Sequence, residues 1–292
     1  MLFSALLYVM TVLFAKAAYN RNPGLTSFDV ILFRSVVTVL LTLFASVVTG
    51  ANAHRLAPGS FRFVAIRCSM GVLAIFATFK SVQMISISKN ILISNLNPMF
   101  VMLFCFIFLK ERITKYDVMT MCCSFTGVVF VSLKAEQNTT ENSHWLGIVL
   151  AIVSSICGGA AHTATKKANQ KLHHYTIPLY FALTSTLVCL LPIITLQYYR
   201  VYNFSSYDAT TIIFMCMVGV GNTGGSILMS LALKLELGGR AAQARYAQIV
   251  FALIADWTIF HQSVIVTDVI GASLIIFSFI FIAWLKARGT VK

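Results

Sequence analysis

The chain has 292 residues, 58% of them hydrophobic and only 11% charged. Soluble domains average roughly 45–50% apolar and about 25% charged, so water is not the solvent for most of this surface. The net charge of +13 would suit nucleic acid. Here the basic residues cluster at the ends of apolar stretches, where membrane topology explains them, and no nucleic-acid partner is expected.

A helix needs about 20 mostly apolar residues to cross ~30 Å of hydrocarbon. In chain order the expected spans are Met1–Ala18, Phe28–Val48, Phe63–Met84, Lys89–Leu109 and Asp117–Leu133. A second set follows at Trp145–Lys166, Ile177–Tyr198, Ala209–Leu233, Ala241–Phe260 and Val264–Leu285. The first stretch has no basic n-region and no convincing cleavage pattern, so it reads as a span rather than a secretory signal. All seven cysteines fall inside spans, as small apolar core residues do.

The second five spans echo the first. Shifting the chain by roughly 151 positions lays Lys89 on Arg240, Asn97 on Gln248 and Asp117 on Asp268. Five is odd, so the two copies, residues 1–134 and 145–286, must lie in opposite orientations. The expected fold is therefore an all-α integral membrane protein of ten transmembrane helices in two inverted five-helix repeats. Repeats of this kind build two alternating faces around a midplane site in many secondary transporters. With both termini cytosolic, most Lys and Arg fall on the inner side, as the positive-inside rule requires. The sequons at Asn138 and Asn203 then fall on the outer side.

Polar groups within the spans mark the candidate site. Pro98 lacks an N–H and kinks its helix, freeing the carbonyl near Ser94; freed backbone in a membrane must be buried in protein or face water. A regular helix places Asn90, Ser94 and Asn97 on one face. Their shifted counterparts are Ala241, Arg245 and Gln248, and Asp256 continues that stripe. These stripes read as cavity walls, with Arg245 facing Asn90 and Asn97 across the repeat axis, and interhelical hydrogen bonding is the alternative. Insertion scales charge ~2.5–3.5 kcal/mol for an arginine or aspartate at a helix centre. Arg34, Arg67, Arg245 and Asp256 are therefore candidates for function. Arg34 can also brace backbone carbonyls or Asp29, and Asp256 reads as an electrostatic partner of Arg245. His162 shares a stripe with Ser155, Gly159 and Lys166, which suits packing or a water contact better than a proton relay.

Other signals have plainer readings. Gly219-Val220-Gly221-Asn222-Thr223-Gly224 matches a dinucleotide-binding pattern, but it lies inside an apolar span rather than after a strand. Its glycines instead permit close helix approach, and Asn222 is left as a pathway candidate. Thr114-Lys115-Tyr116-Asp117 fits a helix-start capping pattern. Glu111, between Lys110 and Arg112, reads as local charge balance. No nucleophile–acid–base set, metal cluster or nucleotide-binding lysine loop stands at useful spacing. No catalytic residue, metal or cofactor is therefore expected, and the chain does not read as an enzyme.

The fourth span carries Asn97-Pro98-Met99-Phe100 and exits through Leu109-Lys110-Glu111-Arg112. Phe33-Arg34 in the second span, and Arg67, Gly71 and Ser81-Val82-Gln83-Met84-Ile85-Ser86 around the third, add to this set. On these motifs the chain resembles the EamA-type branch of the drug/metabolite transporter superfamily, and within it the G-type solute carrier 35 proteins. In the second half His261-Gln262 stands where that family usually has an acidic exit residue. The resemblance implies a small organic metabolite as substrate, such as an organic acid or nucleotide conjugate. Basic charge at depth favours an anionic one carried by alternating access. The alternatives are an exporter of neutral or amphipathic metabolites such as amino acids or drugs, or, in another class, a non-transporting scaffold or a channel. Besides substrate, the expected partners are membrane lipid and, compatibly, a second copy of the chain.

Overall fold

The computed structural model describes residues 2–22, 25, 27–50, 55–82, 84–85, 90, 93–132, 144–196, 207–258 and 266–288. The regular elements among them are helical: α1 (Leu2–Arg21), α2 (Ser27–Val48), α3 (Phe61–Val82), α4 (Asn97–Leu109), α5 (Lys115–Ser132) and α6 (His144–Asn169). They continue with α7 (Thr176–Leu196), α8 (Ala209–Leu235), α9 (Gly238–Gln243), a 3-10 turn (Ala244–Tyr246), α10 (Ala247–Thr258) and α11 (Val266–Ala287). Six of them are long and apolar enough to cross a membrane, which makes this an integral, multi-pass membrane protein. The shorter apolar helices Asn97–Leu109 and Thr176–Leu190 keep the helix order consistent with ten crossings.

Two expected spans are not continuous helices. The fourth is interrupted at Asn95–Leu96, so Asn97 opens a new helix, α4. The ninth is divided into α9, the 3-10 turn and α10. Neither the stripe through Asn90, Ser94 and Asn97 nor the one through Ala241, Arg245 and Gln248 therefore lies along one unbroken α-helix. Regular 3.6-residue spacing stops at each interruption.

Two compact units each draw on both halves of the chain. The first comprises Met1–Cys68 and Thr165–Lys234. In it α2 packs against α7, and Ala18, Leu25, Val30, Met215 and Val218 form a buried core. Two glycines of α8 make the close approaches expected of them. A Cβ on Gly219 would lie 2.5 Å from Val37 Cβ, and one on Gly221 would lie 2.7 Å from Thr11 Oγ1. The Gly219–Gly224 run is thus a helix-packing surface within this unit.

The second unit comprises Ser69–Ala164 and Leu235–Lys292. In it α5 lies along α11 and α4 along α9. Met121, Val128, Tyr246 and Ile275 form the buried core. Ser124 and Ser278 share a hydrogen bond between their hydroxyls. A Cβ on Gly127 would lie 2.6 Å from the Gly271 carbonyl and 2.9 Å from Ile275. The start of α5 is capped as the sequence led one to expect. Thr114 N–H and Oγ1 donate to Asp117 Oδ2 at 3.0 and 2.7 Å, and Asp117 N–H returns a bond to Thr114 Oγ1 at 3.3 Å.

Candidate functional site

The site grows from the interruption before α4. Pro98 stands in the first turn of that helix, where a missing N–H costs no intrahelical bond. The amides of Met99 and Phe100 both turn back to the Leu96 carbonyl, at 2.9 and 3.2 Å. This leaves the Asn95 carbonyl without its helical donor, and the hydroxyl of Tyr246 donates to it at 2.8 Å. Tyr246 is fully buried, so its hydroxyl and that carbonyl satisfy one another. The neighbouring Ile93 carbonyl accepts from Ser155 Oγ at 2.7 Å. The Asn95 carbonyl is thus met by a side chain from another element of the same unit, and the Ile93 carbonyl, already bonded to the Leu96 N–H at 3.0 Å, gains a second donor.

The 3-10 turn that supplies Tyr246 also supplies Arg245. Its Nη1 donates to Asn97 Oδ1 at 3.3 Å and lies 3.0 Å from His162 Nε2. Asn97 uses its other amide atom to donate to the Ser155 carbonyl at 3.4 Å. Gly158 makes this possible, because a Cβ there would collide with the Asn97 amide. Arg245 and His162 are both half-buried, whereas Asn97 is buried. The expected meeting of Arg245 with Asn97 is present, and His162 joins them.

Asn90 and Ser94 belong to a different network. Asn90 Nδ2 donates to Ser81 Oγ at 2.8 Å, Ser94 Oγ donates to Asn90 Oδ1 at 3.3 Å, and Ser81 Oγ donates to the Gly147 carbonyl at 2.7 Å. These bonds tie α3 and α6 to the residues before the break, which is interhelical bonding rather than a wall of the Arg245 cluster. Gln248 is half-buried in the first turn of α10. Asp256 sits on α10, with its side chain outside the described residues, as are Lys89, His261, Gln262 and both sequon asparagines.

The remaining candidates lie in the first unit. Arg34 on α2 has Tyr8 and Cys189 as its electrostatic neighbours. Its carbonyl accepts from Thr38 Oγ1 at 2.8 Å. Asn222 Nδ2 and Thr223 Oγ1 both donate to Thr38 Oγ1, at 3.3 and 3.0 Å. Asn222 is thereby tied to α2. The guanidinium of Arg67 stacks on the Phe181 ring, 3.9 Å from its centroid, a cation–π contact.

Three charged residues have roles that spacing did not reveal. Glu111 is more than local charge balance: its Oε2 accepts from the Gly238 N–H at 2.9 Å, at the start of α9. Arg240 Nε donates to Asp117 Oδ1 at 2.6 Å, with both side chains under a tenth exposed. The shift that pairs Lys89 with Arg240 hints at a special position but not at the carboxylate opposite it. Among the described residues no cluster of three or more His, Cys, Asp or Glu could hold a metal ion.

Comparisons with known proteins point to membrane transporters. The human solute carrier family 35 member G1 is 21% identical over 94% of this chain and 77% of its own length. The pseudopaline exporter CntI of Pseudomonas aeruginosa is 22% identical over 88% of this chain and 86% of its own. A solved crystal structure superposes with a TM-score of 0.80, covering all of this chain and 97% of that one at 16% identity, which shows a shared fold. The family pattern of the EamA-like transporters matches residues 1–133 and again 145–284. With nearly every span inside those two matches, the chain belongs to the EamA-like transporter family, in the drug/metabolite transporter superfamily, and is similar to the G-type solute carrier 35 proteins.

Proposed function

We propose that the protein is a secondary active transporter of a small anionic organic metabolite, working by alternating access between two inverted five-helix repeats. The observation that carries this reading is the pair of interrupted spans. Interruptions at corresponding places in the two halves of a transporter are the strongest bottom-up pointer to its binding site. Here the break at Asn95–Leu96 and the 3-10 turn at Ala244–Tyr246 meet through the Tyr246–Asn95 bond, whose residues stand 151 positions apart. That spacing equals the shift that superposes the two halves of the sequence.

Contacts between α5 and α11 support the same symmetry. Ser124 meets Ser278, and Gly127 meets Ile275. Under the shift Ser278 is the counterpart of Gly127, and Ile275 is the counterpart of Ser124. Reciprocal contact of this kind is what a two-fold relation produces.

Arg245 is the proposed anion contact, with Asn97 orienting it and Gln248 one turn beyond on α10. A planar guanidinium suits two-pronged recognition of carboxylate or phosphate. Both termini are proposed to be cytosolic, with Asn138 and Asn203 outside. The test is uptake of labelled organic acids, phosphate esters, amino acids and amines into proteoliposomes holding the full chain. Saturable uptake of anions supports the reading. Transport confined to neutral or cationic compounds overturns it.

A further inference from the structure

The contact between Arg245 Nη1 and His162 Nε2 fixes a proton by simple chemistry. A guanidinium offers only donors, so at 3.0 Å the imidazole nitrogen must be the acceptor. His162 is therefore neutral in this arrangement, with its ring proton on Nδ1. Adding a proton to Nε2 removes the lone pair that Arg245 uses and sets two positive charges side by side. An anion placed between them relieves that repulsion and gains a second partner.

We propose that His162 carries a coupling proton, so that one proton crosses the membrane with each anion. The inference rests on the proposed role of Arg245 as the anion contact. On one side a proton from water binds Nε2, the Arg245–His162 bond breaks, and the anion's oxygens take Nη1–H and the new Nε2–H. On the other side the anion leaves, Nε2 returns its proton to water, and Nη1–H donates to the emptied lone pair again. Each binding event then favours the other, because the two ligands share one electrostatic coupling.

The surroundings of His162 suit this role. Arg245 comes from the 3-10 turn. From α4 the titratable neighbour is the Cys105 thiol, 3.8 Å from the Thr163 hydroxyl next to His162. Otherwise α4 presents neutral residues to this stretch of α6: Asn97 at Gly158, and Phe100 and Val101 at Gly159. On the α3 side α6 is met by a neutral hydroxyl, Thr78 Oγ1, 2.6 Å from Ser154 Oγ of α6. Lys166 follows one turn further along α6 itself. Histidine is the side chain suited to exchanging a proton near neutral pH.

The experiment uses the full chain in proteoliposomes with a pH-sensitive dye inside, and labelled succinate and inorganic phosphate as probes. The wild type is expected to take up at least one of the two faster as the outer pH falls from 8 to 6, acidifying the lumen. In His162→Gln, whose amide oxygen can still accept from Arg245, uptake should persist at a lower rate, independent of pH and without acidification. Wild-type acidification and pH dependence in His162→Gln overturn the coupling while leaving the anion reading intact. No flux of either probe in the wild type overturns the anion reading, and the coupling falls with it. Nitrogen NMR of histidine-labelled wild type at pH 8 gives a check that needs no variant. An unprotonated Nε2 at His162 is expected, and a protonated Nε2 overturns the proposal.

Discussion

Span four and span nine are interrupted at matching places, yet the residues responsible differ in kind. Before α4 a proline is written into the chain, and the amides of Met99 and Phe100 just after it turn back to the nearby Leu96 carbonyl. Between α9 and α10 there is neither proline nor glycine. The sequence Ala244-Arg245-Tyr246 turns where three side chains in or next to it are held by other elements: Gln243 by Ser124 at 3.1 Å, Arg245 by Asn97 and His162, and Tyr246 by the Asn95 carbonyl. A short 3-10 stretch within a longer helix often marks a hinge or strain. One interruption is thus written locally, with tertiary bonds added, and the other is held by tertiary contacts. The tertiary one carries the arginine.

This contrast ranks the expected effects of mutation. The largest belongs to the base of span nine, where Arg240 is tied to Asp117. Breaking a buried pair from one side leaves an uncompensated charge and costs about 3–5 kcal/mol. Asp117→Asn should therefore sharply lower the midpoint of thermal unfolding in detergent. An unchanged midpoint would mean that span nine is positioned without this pair.

Tyr246→Phe comes next. It removes the buried hydroxyl's bond to the Asn95 carbonyl, at a cost of about 1–3 kcal/mol. Pro98→Ala should cost less than about 1 kcal/mol, since Pro98 sits where no intrahelical donor is missed. Chemical denaturation of the two variants side by side decides the matter. A greater loss in Pro98→Ala would reverse the contrast and make the proline the brace.

A smaller effect is expected at Glu111. Glu111→Gln keeps an acceptor for the Gly238 N–H but loses the charge that favours a helix start, worth about 0.3–1 kcal/mol. Glu111→Ala loses the acceptor too and should cost more. Equal losses in the two variants would show that charge rather than the bond matters there.

The weakest effect lies in the other unit, in the turn between α6 and α7. Burial, then Lys234, holds the His173 imidazole below the ordinary range; for His174 the causes are burial, then His173, then Lys234. Unfolded histidine titrates near 6.5. As pH falls below about that value, the unfolded chain binds protons that the folded turn resists, so stability present above it is lost. Replacing both histidines with glutamine should flatten the stability profile between about pH 7 and 5. An unaltered slope would place the acid sensitivity elsewhere.

The helical architecture was legible because period, length and apolarity act locally along each span. The Arg245–Asn97 meeting was legible too, because the shift of the repeat put two polar positions on corresponding helices. What lay beyond reach were partners chosen across the fold. Nothing in Lys110-Glu111-Arg112 signals that the carboxylate caps an amide 127 positions away. Nothing in Ala244-Arg245-Tyr246 announces a turn, since its cause lies in Ser124, Asn95, Asn97 and His162. Asn90 and Ser94 were grouped with Asn97 on the assumption of an unbroken helix. The break at Asn95–Leu96 puts them in separate networks.

The central claim is that Arg245, presented by the tertiary break, receives the anion. Its most direct test is the concentration dependence of anion uptake by Arg245→Lys in proteoliposomes, with the amount of reconstituted protein matched to wild type. A charge-assisted hydrogen bond is worth about 1.5–3 kcal/mol, and lysine keeps the charge without the planar fork. The account predicts an apparent KM raised about tenfold or more, with a smaller rise in Asn97→Ala. A wild-type KM in Arg245→Lys would contradict it and leave Arg245 as a brace between α4 and α6.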